Sequence, residues 1–554
     1  MTNRLSILTA QLNPIVGDIS GNLAMAQAAY AEAQARGADL LVLPELFLIG
    51  YPPEDLVQKP SAIAACMQAV QTLAGKTEAG PSVIIGSPWS EAGKLYNSAL
   101  VLSQGGILGR YDKRELPNYG VFDEKRLFDA GSGALATFPI AGVQVGVAIC
   151  EDLWFETVPR GLAAAGADLM IAPNASPWRR SIQTEREAAF DRWSDLQLPY
   201  LFVNQIGGQD ELVFDGASFA SDAAYAKRQP LIGQFETGTA LIVFENGGFL
   251  PVAETAPPDA VGLEAEYQAA TIALRDYVNK NKFPGVVIGL SGGIDSALTA
   301  AIAVDALGAE RVWCVMMPSV YTSDESLEDA RACAEALGVR YDTISISPAT
   351  LAVDGMLAAA FSDTEADTTE ENIQSRLRGL LLMALSNKFG HMVVTTGNKS
   401  EMAVGYATLY GDMCGGYNAL KDFYKTEVFA LSKWRNAHSP RLGLGPDGIV
   451  MPERVITKPP SAELRDDQRD DDSLPPYDVL DDILRGLIDD EQDLEQICAR
   501  GHDVETVQRI EHLLYIAEYK RRQAPPGVKV GSRNFGRDRR YPITNRFRHR
   551  PSSI

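Results

Sequence analysis

Residues 285–301 read GVVIGLSGGIDSALTAA. Small and branched apolar residues, Val286 to Leu290, enter a turn of one serine and two glycines. The chain leaves through Asp295 and Ser296 into an alanine-rich stretch. The first part suits a buried strand and the last a helix. A strand that turns through glycines into a helix aims several backbone N–H groups, and the positive end of the helix dipole, at one point. An anion belongs at such a point. Gly292 and Gly293 let the backbone come close to it, and Ser291 and Ser296 offer hydroxyls. No GK[ST] follows, so this is not a Walker A loop, and it is not GxGxxG either. Taken alone, the turn reads either as a phosphate cradle or as a glycine turn with a serine cap.

Outward from this turn the strand–helix alternation continues. LEAEYQAATIALRDYVNKN (263–281) is an amphipathic helix, and VWCVMMPS, YDTISIS and MVVTTGN are strands between helices. Upstream, AETAPPDAVG (253–262) holds two prolines among small residues and suits a linker. Before it, LSILTAQL, DLLVLPE, SVIIGSP, NSALVLS, VQVGVAIC, LMIAPNAS and YLFVNQIGG are strand candidates, and NLAMAQAAYAEAQARGA is a helix closed by Gly37. The expected class is α/β throughout, with domains at 1–252 and 263–554 joined by the linker 253–262. No internal repeat is visible.

At 554 residues the chain is too long for one core. Hydrophobic residues make up 46% and charged residues 22%, as in ordinary globular proteins. The net charge of −22 and the pI near 4.8 argue against a general nucleic-acid binder. They leave anionic small ligands open, because a local site can oppose the global sign. Six cysteines without CxxC spacing suggest reduced thiols, and five histidines without ligand spacing make a zinc site improbable. The start, MTNRLSILTAQLNP, has no long apolar core or cleavage site, and no run of 18 apolar residues occurs. A cytoplasmic enzyme is expected. Two segments differ from the rest. RDDQRDDDSLPPYD (465–478) reads as an exposed, mobile acidic loop. The tail from Lys520 is strongly basic and reads either as a solvated or subunit-contacting face or as a functional one.

The strand–SGGIDS–helix unit, Gly289, Leu290, Ser291, Gly292, Gly293, Ile294, Asp295 and Ser296, resembles the pyrophosphate loop of the N-type ATP pyrophosphatases. The resemblance implies that the loop holds the pyrophosphate of ATP while the α-phosphate is attacked, with Asp295 as a Mg²⁺ ligand. TTGNKSEMAVGYATLYGDMCGGYNALKDFYKTEVFALSKW (395–434), ENIQSRLRGLLL (371–382) and KPPSAELR (458–465) resemble the NAD synthetases. That likeness implies ATP contacts at Thr396, Lys425 and Ser461, the last in a loop that closes over ATP. It makes Glu401 a Mg²⁺-linked carboxylate that also touches the dinucleotide. Asn372, Arg376, Arg378, Asp412 and Lys520 fall where the family receives deamido-NAD⁺. An arginine pair two residues apart suits an anionic dinucleotide, and otherwise lies on an exposed helical face.

In the first half, LLVLPELFLIGYPPEDL with Glu45, RYDKRELPNYGVFDEKR with Lys113, and VGVAICEDLWF with Cys150 resemble the nitrilase superfamily in its own order. The likeness implies a catalytic set. Cys150 attacks the glutamine side-chain amide, Glu45 moves the proton, and Lys113 stabilises thiolate and oxyanion. Glu124 is the family's second glutamate. Tyr119 and Ser176, with Pro177 less favoured, are glutamine contacts. WRRSIQTERE (178–187) departs from the family spacing, so Arg179, Arg180 and Gln183 stay open as partners of the glutamine carboxylate. A cysteine at a strand end is commonly just buried, and the other five are expected to be structural.

Together these likenesses cover nearly the whole chain in the order of the glutamine-dependent NAD⁺ synthetases. They imply an αββα nitrilase-like sandwich followed by a doubly wound parallel α/β domain. ATP and L-glutamine are the implied co-substrates of deamido-NAD⁺, and Mg²⁺ the cofactor. Homo-oligomers and a shielded ammonia path are implied, with no nucleic-acid or membrane partner. The rival readings are the same architecture on another acid, a tRNA-modifying enzyme, and a non-catalytic nitrilase-like interaction protein. Intact Glu45, Lys113 and Cys150 oppose the last.

Overall fold

The computed structural model folds as two compact units, Met1–Ala260 and Val261–Ile554. It describes residues 4–222, 228–252, 256–465, 468, 470 and 474–547. Residues 253–255 of the expected linker, six residues of the acidic segment and the last seven of the tail lie outside the described residues.

The first unit is a sandwich of two sheets. One runs, in spatial order, Gly248–Phe249, Gly238–Glu245, Arg4–Gln11, Leu40–Val42, Ser82–Glu91, Lys94–Ser103 and Gly106–Asp112. The other runs Arg228–Pro230, Phe219–Ser221, Tyr200–Asn204, Leu169–Asn174, Val143–Val147 and Thr137–Ile140. Alternation decides what each face covers. Leu5, Ile7, Leu40 and Val42 of the first sheet join Val143, Val145, Leu169 and Ile171 of the second in one core. The opposite phase, Leu8, Leu41, Val83 and Leu100, packs under the helices Ile19–Ala35 and Pro60–Ala74. Burying each such side chain contributes about 1.5–3 kcal/mol. That attraction holds the sheets face to face, but it is non-directional and fixes no fine register. Arg4–Gln11 pairs antiparallel with Gly238–Glu245 along its full length, a partner that no local pattern announced.

The second unit carries a five-stranded, all-parallel sheet in the order Arg340–Thr343, Val312–Met316, Val286–Gly289, Met392–Thr395, Tyr417–Asn418. The helix Ile294–Leu307 begins directly after the glycine turn. Leu382, on the helix Thr368–Phe389, packs on Val287, Val315 and Val393. A helical cap, with Tyr477–Ile488 and Val504–Ile516, shares a core with Met402 and Val404 of the short helix Lys399–Val404. Where the acidic segment was expected to be exposed, its described residues are mixed: Arg465, Pro476 and Asp478 are exposed. Its Gln468, Asp470 and Leu474 are buried.

The basic tail is partly internal. Arg521 is buried and its guanidinium donates to the Met402, Ala403 and Leu514 carbonyls. Lys520 Nζ donates to the Gly405 and Ala407 carbonyls at 2.7 and 2.6 Å. Cations at the orphan carbonyls of a helix C-terminus satisfy them and oppose the dipole.

Candidate active sites

Three strand ends meet in the first unit. Glu45 follows Leu40–Val42, Lys113 follows Gly106–Asp112 and Cys150 follows Val143–Val147. Lys113 Nζ lies 2.7 Å from Glu45 Oε1 and 2.8 Å from Glu124 Oε1, with all three side chains buried. Asn97 Nδ2 donates to both carboxylates, at 2.7 Å to Glu45 and 3.4 Å to Glu124. Tyr51 OH donates to Glu124 at 2.8 Å. The Ala175 N–H donates to Glu45 Oε2 at 3.0 Å.

The electrostatics follow from burial. Burial alone would lower Lys113, but the Glu124 and Glu45 carboxylates hold it well above the ordinary lysine value. It stays cationic. Burial, with the Glu45 charge added, pushes the Cys150 thiol well above its usual range, while Lys113 and the Ala175 N–H pull the other way. Cys150 therefore rests as a thiol, and it could act as a nucleophile only by giving up that proton. Cys150 has φ +44°, a left-handed conformation rare for a residue with a Cβ, and it opens the turn Cys150–Trp154. Burial pushes Cys66, Cys314 and Cys333 up to about 12, which leaves them inert, whereas Cys414 is half-buried and lines the second site.

The expected glutamine contacts divide. Tyr119 is 58% exposed and its hydroxyl donates to Glu151 Oε1 at 2.9 Å, beside Cys150. Ser176 follows Ala175 and is fixed by Arg186, whose guanidinium reaches its hydroxyl at 3.1 Å and its carbonyl at 2.9 Å. Arg186 is itself buried and doubly bonded to Asp215 at 3.0 Å. Pro177 forms an antiparallel bridge with Phe214 and offers no polar hydrogen. Arg179 is paired with Glu185, and Gln183 donates to Glu187 at 3.1 Å. Sequence reasoning missed Asn97, Tyr51, Glu151 and Arg186; their types are ordinary, and only the fold supplies their partners.

In the second unit the glycine turn forms one wall of a cavity of about 290 Å³, which Thr396, Glu401, Lys425 and Ser461 also line. Ser291 N donates to Ser296 Oγ at 3.2 Å and Ser296 Oγ to the Gly293 carbonyl at 2.9 Å, closing the turn on itself. Gly292 has φ +84°, and a Cβ there would stand 2.4 Å from the Ser326 carbonyl oxygen. Lys425 Nζ bonds Asp295 Oδ2 and, at 3.1 Å, Glu401 Oε1. Asn398 caps the helix carrying Glu401 and donates to Asp295 at 2.8 Å. Burial, together with the charges of Asp295 and Asp470 and against Lys425, raises Glu401 to about 8. This excess of negative charge, offset only in part by Lys425, fits a hard divalent cation shared with phosphate oxygens. Among the described residues no group of three His, Cys, Asp or Glu side chains could hold a metal without such help.

The dinucleotide candidates do not all reach the cavity. Arg378 and Asp412 line it; Asn372, Arg376 and Lys520 do not. Asn372 Oδ1 accepts from the Thr408 hydroxyl at 2.7 Å, and Asp412 Oδ1 from the Thr408 N–H at 2.7 Å. Arg376 and Arg378 have separate partners. Two residues apart on the helix they diverge, Arg376 Nε to the Leu409 carbonyl at 3.2 Å and Arg378 Nε to the Met317 carbonyl at 3.0 Å. Burial lowers Arg378 to about 10. Ser461 Oγ donates to the Gln468 carbonyl and accepts from the Glu463 N–H at 3.1 Å. Glu463 accepts from Ser323 and Ser326 at 2.8 and 2.7 Å, tying the segment to the start of the helix Asp324–Leu337.

Comparison with known proteins gives the same division. Residues 8–242 match the carbon-nitrogen hydrolase family and residues 266–524 the NAD synthase family. The glutamine-dependent NAD(+) synthetase of Rhodobacter capsulatus is 50% identical over 558 residues, covering 99% of this chain and all of that protein. That of Thermotoga maritima is 43% identical, covering 98% and 99%. The structure of glutamine-dependent NAD⁺ synthetase from Acinetobacter baumannii in complex with ADP is 42% identical, covers 98% of this chain and 99% of its own, and superposes with a TM-score of 0.77.

Proposed function

The chain belongs to the glutamine-dependent NAD⁺ synthetases, which amidate with nitrogen taken from glutamine, and from that premise we propose how its own residues divide the work. Residues 1–252 hydrolyse glutamine and residues 263–554 form the amide. Cys150 Sγ attacks the side-chain amide carbon of glutamine, and Glu45 takes the thiol proton. Glu45 returns it to the departing nitrogen as the C–N bond breaks, leaving ammonia and a thioester. Water then gives a proton to Glu45, adds to the thioester and releases glutamate and the thiol. Lys113 faces the developing oxyanion, and Glu124 with Asn97 holds Lys113 in place. Tyr119 and Glu151 receive the glutamine ammonium, and Ser176, fixed by Arg186, its polar backbone. Arg179, Arg180 and Gln183 remain the candidates for its carboxylate.

In the second unit the 289–296 turn, with Thr396, Lys425 and Ser461, holds ATP. Asp295 and Glu401 fit Mg²⁺, which when bound neutralises charge on the phosphate oxygens. The nicotinate carboxylate of deamido-NAD⁺ attacks the α-phosphorus and pyrophosphate leaves; Lys425 stabilises the charge that builds. Ammonia then attacks the acyl carbon and AMP leaves. Asn372, Arg376, Arg378, Glu401, Asp412 and Lys520 position the dinucleotide. A homo-oligomer is part of this reading: the helix Ser347–Leu357 has no buried residue, and its Leu351 and Met356, with Leu380, are 72%, 74% and 63% exposed. No helix among the described residues is long and apolar enough to cross a membrane.

The observation that carries the reading is the convergence of three strand ends, with Glu45 and Lys113 buried in direct contact and the half-buried Cys150 within reach of both charges. Cys150→Ala tests it, with NAD⁺ formation from deamido-NAD⁺ and ATP-Mg²⁺ measured with either nitrogen donor. Glutamine-driven synthesis is expected to vanish and ammonium-driven synthesis to persist. Persistence of both would overturn the assignment of Cys150.

A further inference from the structure

The reacting groups of the first unit stand on different sheets. Glu45 and Lys113 leave the seven-stranded sheet, and Cys150 leaves the six-stranded one. Between the sheets lies an apolar core, which attracts without fixing position. Nucleophile, base and cation must nonetheless keep their spacing closely, because a shift of about 1 Å costs about 10²-fold in rate.

Asp152 spans this gap. It is fully buried, two residues after Cys150. Its Oδ1 accepts from the N–H groups of Arg114 and Glu115 at 3.1 and 2.9 Å, immediately after Lys113. Its Oδ2 accepts from the Tyr111 hydroxyl at 2.8 Å and from the Ile149 N–H at 2.9 Å, immediately before Cys150. One carboxylate thus holds the chain on both sides of Lys113 and the residue that leads into Cys150. The Ile149 bond also closes the turn in which Cys150 takes its left-handed backbone. Such a conformation persists only where its surroundings over-determine it.

The geometry points to Asp152 as the positioning residue that sets Cys150 against Lys113 across the two sheets, with Tyr111 as its support. It touches neither substrate nor the reacting atoms. The inference rests on the reading of Cys150, Lys113 and Glu45 given above.

Asp152→Asn is nearly isosteric. Its amide oxygen keeps the Arg114 and Glu115 N–H groups, while its NH₂ meets the Ile149 N–H donor to donor. Glutamine-driven NAD⁺ formation is expected to fall about 10²-fold with ammonium-driven synthesis unchanged. The second readout is the iodoacetamide labelling rate of Cys150 against pH, followed by mass spectrometry of its peptide. Around that thiol stand Glu45, Glu151, Lys113, Tyr51 and Tyr119. Loss of position carries Cys150 away from Lys113, so labelling slows and its midpoint moves up. A loosened fold would do the opposite, exposing the thiol and speeding its labelling. Faster labelling, or an unchanged rate and profile, would overturn the proposal. Should the Asn variant not fold, Tyr111→Phe decides: it leaves the three backbone bonds intact and is expected to slow Cys150 labelling severalfold, and no change would sink the idea. Cys150→Ala run alongside separates the two levels. If that variant keeps glutamine-driven synthesis, the underlying reading fails; if it loses it while Asp152→Asn matches wild type, only the role of Asp152 does.

Discussion

Lys113 Nζ stands 2.7 Å from Glu45 Oε1, and that contact joins residues 68 positions apart in a place closed to water. The same ammonium also serves Glu124. Lys113→Met leaves two buried carboxylates with no cation between them. Breaking a buried pair in this way costs about 3–5 kcal/mol. Denaturant unfolding of the first unit is expected to show that loss, with glutamine hydrolysis abolished. Adding Glu124→Gln is expected to return most of the stability and none of the activity. Equal stability of wild type and Lys113→Met would contradict this account.

Gly292→Ala is expected to impair use of ATP. The position has φ +84°, and the new Cβ would press to 2.4 Å on a backbone oxygen, which has no soft side chain to move. Strain of about 1–3 kcal/mol falls on the turn proposed to hold phosphate. Both glutamine-driven and ammonium-driven synthesis are expected to fall by about tenfold or more, with labelling of Cys150 unchanged. An active Gly292→Ala enzyme would remove the turn from the ATP site.

Arg376 and Arg378 point apart, so their effects are expected to add. In a double-mutant cycle of Arg376→Met and Arg378→Met on kcat/KM for deamido-NAD⁺, the coupling is expected to stay within about 0.5 kcal/mol. A larger coupling would mean that both grip one phosphate.

Acid stability of the second unit is expected to depend on Asp422. Burial works against its charge, but the Lys399 ammonium and the Val530 and Gly531 N–H groups hold its carboxyl below the usual carboxylate range. A depressed folded value means that its stabilisation is fully present above the ordinary carboxylate pKa of about 3.9 and is lost as pH falls through the folded value. Asp422→Asn is expected to melt lower at pH 7 and to lose less between pH 4 and pH 3 than wild type does. Parallel melting curves across that range would refute the assignment.

Much of this was legible in the sequence because it is local. A strand, two glycines and a helix sit consecutively at 286–307, and the turn at Ser291 needs no distant partner to be recognised. Glu45, Lys113 and Cys150 each end a strand-like run, so their meeting follows once the strands share a sandwich. Asn97 and Asp152 escaped because a period of two says which way a side chain points and not what it meets. Three of the four Asp152 partners, Tyr111, Arg114 and Glu115, lie 37 to 41 residues away along the chain, on or just after a strand of the other sheet. The divergence of Arg376 and Arg378 was hidden for the converse reason: two residues apart is adjacent on paper and opposite on a helix. The acidic segment looked solvated by composition, yet Tyr477 gives Asp470 a buried hydroxyl partner at 2.8 Å.

The fastening of Lys399–Val404 by Lys520 and Arg521 bears on how the chain matures. Translation runs from the first unit onward, and domains generally fold as units in that order. The glutamine site is thus complete on a nascent chain long before residue 520 leaves the ribosome. The helix that carries Glu401 gains its last two cationic ties only then. A message cut short near its end is therefore expected to leave the Glu45–Lys113–Glu124 cluster formed while the helix that carries Glu401 lacks these ties, so that the loss falls on the second unit alone.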